Sequence, residues 1–113
     1  MQKNKNLATN YLTLTTRILG IDPGYGRVGI AIINNIKNNQ SLVYSECFET
    51  NTELKHAERL ALIAVHLNKI IRRFKPNKIA VETLLFSKNT KTALKVAEAR
   101  GVILAESARN KIE

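Results

Sequence analysis

Ile18-Leu19-Gly20-Ile21-Asp22-Pro23-Gly24-Tyr25-Gly26-Arg27-Val28-Gly29-Ile30-Ala31-Ile32-Ile33 decides how this chain is read: two aliphatic runs joined by a break that carries one acid. Residues 17–22 are β-branched and aliphatic, Pro23-Gly24 interrupts them, and a β-type run resumes over 27–34. The pattern predicts strand, tight turn, strand. Asp22, the single aspartate of the chain, falls at the C-terminal end of the first strand, beside glycines that leave room for a ligand. Asp-Pro-Gly is also an ordinary turn sequence. Taken alone the acid reads as a turn former, and it becomes a site candidate only with the rest of the chain.

Working outward, Asn34-Asn35 and Lys37-Asn38-Asn39-Gln40 are turn-rich and lead into a third strand over 42–49. Thr50-Asn51-Thr52-Glu53 has the spacing of a capping box ahead of a helix. In that helix Leu54, Ala57, Ala61, Ala64, Leu67, Ile71 and Phe74 recur at three and four, and Leu60, Ile63 and Ile70 widen the stripe. Lys75-Pro76 ends it. Residues 78–82 form a short fourth strand with Glu82 at its tip. Ser87 or Asn89 can cap a second helix running to about residue 110, where Ala93, Ala97, Gly101, Ala105 and Ala108 make a stripe suited to close packing. The result is an α/β domain: a three-stranded antiparallel meander, a crossover helix, a fourth strand and a second helix. If the crossover lays the fourth strand parallel to the first and beside it, Asp22 and Glu82 face one crevice.

Composition narrows the function. The chain of 113 residues is one domain with 44% hydrophobic content, and its net charge of +9 points to a polyanionic partner. Residues 1–16 are expected to be a flexible extension and 17–113 the folded domain, although Tyr11-Leu12-Thr13-Leu14 alternates and could lengthen the first strand. The single Cys47 excludes an internal disulfide, reads as a small core residue and indicates a reducing, cytoplasmic setting. No apolar run reaches the ~20 residues of a membrane span, and the N-terminus lacks the form of a signal peptide.

The chemistry centres on the two acids. Carboxylates at adjacent strand ends repel unless a cation lies between them, and oxygen-only ligands favour Mg²⁺, with Mn²⁺ the alternative. Eight basic residues (Lys69, Arg72, Arg73, Lys75, Lys78, Lys88, Lys91, Lys95) surround Glu82, the only acid between Lys69 and Lys95. Such a field suits a nucleic-acid backbone. Gly24-Tyr25-Gly26-Arg27-Val28-Gly29 matches a dinucleotide fingerprint, but that fingerprint needs a helix to follow, and a β-branched run follows here. An actin- or hexokinase-like ATPase also places Asp-x-Gly in a first hairpin, but needs a second lobe. His56 and His66 sit about 80° apart around one helix and do not form a metal pair.

Three stretches in order, residues 18–24, Val81-Glu82-Thr83-Leu84-Leu85-Phe86-Ser87-Lys88-Asn89, and Ala93-Leu94-Lys95-Val96-Ala97-Glu98-Ala99-Arg100-Gly101, resemble the RuvC family of Holliday junction resolvases. The resemblance runs from about Arg17 to the end. It implies a ribonuclease-H-like fold, a homodimer, and Mg²⁺-dependent hydrolysis of two symmetric strands at a four-way DNA junction, within a branch-migration complex. Asp22 and Glu82 match the family's first and second catalytic, metal-binding carboxylates. Leu85 or Phe86 occupies the place of an aromatic wedge, with Phe86 the better match. Lys88, Asn89, Lys91 and Lys95 complete the implied DNA-binding set. The family pattern continues with another strand and a C-terminal helix bearing two more acids, which this chain lacks; neither Glu106 nor Glu113 matches them. The expectation is therefore a truncated chain, weakly active or inactive alone, with an exposed sheet edge. Two rivals stand beside the resolvase reading: a non-catalytic junction binder, and a relative of the same fold acting on RNA.

Overall fold

In the computed structural model, which describes residues 15–24, 26–82 and 90–112, the two aliphatic runs pair as an antiparallel hairpin. The elements are β1 (Thr15–Pro23), β2 (Arg27–Ile36), β3 (Asn39–Glu49), α1 (His56–Phe74), β4 (Lys78–Val81) and α2 (Thr90–Arg109). β1 begins two residues earlier than expected, with Thr15 opposite Ile36. The Tyr11-Leu14 extension lies outside the described residues. The link between β2 and β3 is shorter than its composition predicts. Only Lys37 and Asn38 turn, both at positive φ (51° and 66°), which is the backbone of a primed two-residue hairpin.

Strand order is β3-β2-β1-β4, with β4 parallel to β1 and the other pairs antiparallel. The crossover therefore places the fourth strand where the site reading required it. Arg17 explains why the register is so defined. Its N–H donates to Asn77 Oδ1 (2.9 Å), its carbonyl accepts from Asn77 N–H (2.9 Å), and its guanidinium donates to the Phe74 carbonyl (2.8 Å). These bonds tie the end of α1 to the start of β1, so Ile18 meets Lys78 and Ile21 meets Val81.

One face of the sheet carries Leu19, Ile21, Val28, Ile30 and Ile32, packed with Ile63, Leu67, Ile70, Ile71 and Phe74 of α1 and with Ala99 and Ile103 of α2. The apolar stripe of α1 is narrower than its periodicity suggested: Ala57 and Ala61 are exposed, and buried Arg59 continues the row of Ile63 and Leu67 instead. The capping box does not form. Asn51 makes its own turn, accepting from Glu53 N–H at Oδ1 (2.9 Å), and α1 starts later, after Lys55, without a side-chain cap. In α2 the small-residue stripe faces outward, with Ala97, Gly101, Ala105 and Ala108 exposed, because Val96 and Ile103 supply more apolar area to the core. Cys47 is likewise exposed, on the sheet face away from the helices beside Gly29, rather than in the core. Among the described residues no helix is long and apolar enough to cross a membrane.

Candidate active site

Asp22 follows Ile21 on β1, and Glu82 follows Val81 at the end of β4. Side chains alternate along a strand, so both acids project from the face opposite the core. Glu82 N–H donates to the Ile21 carbonyl (3.1 Å), which extends the parallel ladder by one step and brings the two acids level. Both residues are solvent-exposed, and their carboxyl groups share a hydrogen bond. That bond, together with the repulsion of the Asp22 charge and some loss of hydration, raises the Glu82 carboxyl above its ordinary value. Two acids far apart in sequence thus meet as one oxygen donor set. Such a pair fits a hard divalent cation, which would relieve the repulsion. Among the described residues no group of three His, Cys, Asp or Glu side chains converges.

The turn that follows Asp22 is held from beneath. Opposite Asp22 on β2 stands Gly29, where a Cβ would come within 3.3 Å of the Asp22 Cβ, so a larger residue would crowd the acid. Gly24 N–H closes the turn onto the Arg27 carbonyl (2.8 Å), and Gly26 has φ +80°. β2, not a helix, follows these glycines, which disposes of the dinucleotide reading. Below the turn lies a cleft lined by Gly24, Gly26, Thr50, His56, Arg59 and Lys95, among others. Arg59 Nε donates to Thr50 Oγ1 (2.8 Å), and Thr50 N–H donates to the Gly26 carbonyl (3.2 Å). Sequence reasoning passed over Arg59 and took Thr50 for a helix cap. The available signal was the spacing 59, 63, 67, which puts an arginine on the buried row.

The basic residues divide. Lys95 lines this cleft, with exposed Lys91 one turn before it on α2. Lys78, by contrast, begins β4 at the end away from Glu82, about 13 Å off at ~3.3 Å per residue. Lys75 caps the far end of α1, and Arg73 lies over the rings of Tyr44 (5.4 Å) and Phe74 (4.7 Å). The field around Glu82 in sequence is therefore partly dispersed in space. Leu85, Phe86, Lys88 and Asn89, with the cap candidate Ser87, lie outside the described residues. The histidines have packing partners: His56 lies 3.4 Å from Glu98 of α2, while His66 bonds Glu46 and stacks on Phe48 (4.0 Å between centroids).

A family profile described as "Crossover junction endodeoxyribonuclease RuvC" matches residues 18–113. Relatives carrying that name include one from Brachyspira hyodysenteriae, 47% identical over 84% of this chain and 59% of its own. Another, from Fusobacterium nucleatum, is 42% identical over 85% of this chain and 50% of its own. The chain thus spans between half and three fifths of the length of these curated relatives. Among solved structures, T. thermophilus RuvC in complex with Holliday junction substrate superposes with a TM-score of 0.77 at 25% identity, covering 86% of this chain and 60% of that one. The yeast mitochondrial Holliday junction resolvase Ydc2 agrees in fold, with a TM-score of 0.62 at 16% identity over 86% of this chain and 49% of that one.

Proposed function

The chain belongs to the RuvC family, and from that premise we propose that it serves in metal-dependent hydrolysis of phosphodiesters at four-way DNA junctions, in recombination and repair in the cytoplasm. The observation that carries this reading is the meeting of Asp22 and Glu82 at the tips of parallel neighbouring strands. These two side chains would hold the cation, and their oxygen-only donor set favours Mg²⁺, with Mn²⁺ as substitute. Such an ion, when bound, supplies an acidified water and neutralises charge on the phosphate. The contribution of the protein is to keep both carboxylates exposed and level at the strand tips. Lys91 and Lys95 on α2 would offset phosphate charge, and Leu85, Phe86, Lys88 and Asn89 would contact the crossover. A homodimer would present two such sites to symmetric strands, with a branch-migration complex as its further partner.

The test is a nicking assay on a synthetic four-way junction with Mg²⁺, comparing the chain with Asp22→Asn and Glu82→Gln. Symmetric nicking abolished by either substitution supports the proposal. Junction binding with no nicking in the parent chain favours a non-catalytic binder.

A further inference from the structure

We infer that Arg59 and Thr50 are positioning residues for the metal-binding carboxylate of Asp22, acting through the turn at Gly24 and Gly26. Arg59 is 8% exposed, buried on α1 although arginine keeps its charge. Its Nε binds Thr50 Oγ1 (2.8 Å), and Thr50 in turn holds the Gly26 carbonyl through its own N–H (3.2 Å). Its Nη2 lies 2.6 Å from where a Cβ on Gly26 would stand, so the guanidinium packs directly under the turn backbone. One buried side chain thereby joins the start of α1, the residue after β3 and the turn between β1 and β2. Asp22 lies two residues before Gly24 and opposite Gly29, where any Cβ would crowd it at 3.3 Å. The clamp acts on the backbone of the turn that follows Asp22, and neither Arg59 nor Thr50 needs to touch metal or DNA. Supporting groups behind metal ligands typically change affinity by roughly 10–100-fold when removed.

The inference rests on the carboxylate reading above, and the test separates the two. Arg59→Gln, Arg59→Lys and Thr50→Val are made in the full 113-residue chain, with folding checked by circular dichroism. Mn²⁺ affinity is read by electron paramagnetic resonance, junction affinity in divalent-free buffer by gel shift, and backbone amide positions by NMR without metal or DNA. Arg59→Gln is expected to weaken Mn²⁺ binding roughly 10-fold or more and to move the Gly24 and Gly26 amides while leaving Gly101 in place. Junction affinity should stay within about twofold, and Arg59→Lys should recover part of the loss because it keeps the charge without the fork. Unchanged Mn²⁺ affinity in folded Arg59→Gln overturns the inference. A parallel fall in junction affinity also overturns it, since Arg59 would then be a DNA contact. If Arg59→Gln does not fold, Thr50→Val decides by the same criteria. If the parent chain binds no Mn²⁺, the carboxylate reading fails, and unmoved Gly24 and Gly26 amides then reject the clamp separately.

Discussion

Replacing Gly26 with alanine tests the arrangement under the turn by a single methyl group. The position has φ +80°, where a side chain costs about 1–2 kcal/mol. The new Cβ would also stand 2.6 Å from Arg59 Nη2, well inside van der Waals contact. The guanidinium ends a flexible side chain, but it is buried and held to Thr50, so moving aside means losing that 2.8 Å bond. A hydrogen bond from a charged donor contributes about 1.5–3 kcal/mol. Together these give a destabilisation of about 2.5–5 kcal/mol, or about 10–20 °C in Tm at about 4 °C per kcal/mol for a domain of this size. Urea unfolding followed by far-ultraviolet circular dichroism measures it, with the slope showing whether both chains unfold alike. A loss under about 1 kcal/mol at unchanged slope refutes the reasoning, because the guanidinium would then have moved without cost and could not be gripping the turn.

In metal-free buffer Asp22→Asn should alter the pH dependence of stability. Glu82 holds its proton above its ordinary 4.5, so its stabilising effect is complete below about that pH and is lost as pH rises through the raised value. The variant, lacking the neighbouring charge, should lose less stability across that window, as seen in Tm against pH. Glu46 behaves oppositely. Burial pushes its carboxyl up, but the Tyr44 hydroxyl (2.6 Å), His66 and Arg73 outweigh that and leave it below 4.5. Its contribution is present above pH 4.5 and disappears as pH falls through the lowered value, so Glu46→Gln should flatten the acid limb of urea midpoints. In the core, Leu67 is 1% exposed at the centre of α1, and Leu67→Ala should cost about 2–5 kcal/mol by the same unfolding assay.

Local pattern was enough for the meander, the crossover helix and the two acids. Alternation along β1 and β2 and the punctuation at Pro23-Gly24 are properties of neighbouring residues, and the hairpin is a neighbouring contact. Motif order also placed the chain in its family, since residues 18–24 and the stretch after Val81 are short and distinctive. Other features depended on which surface won the competition for burial. α2 turned its small residues outward because Ile103 and Val96 remove more apolar area from water, and Cys47 went to the open face because Tyr44 and Phe48 took the covered one. The adjacency of Asp22 and Glu82 likewise required the parallel pairing of β4 with β1, fixed through Arg17 and Asn77. Arg59 under the turn was decided only in three dimensions: a charged side chain is normally assigned to solvent, and the partners that allow its burial lie on segments the chain brings together only by folding.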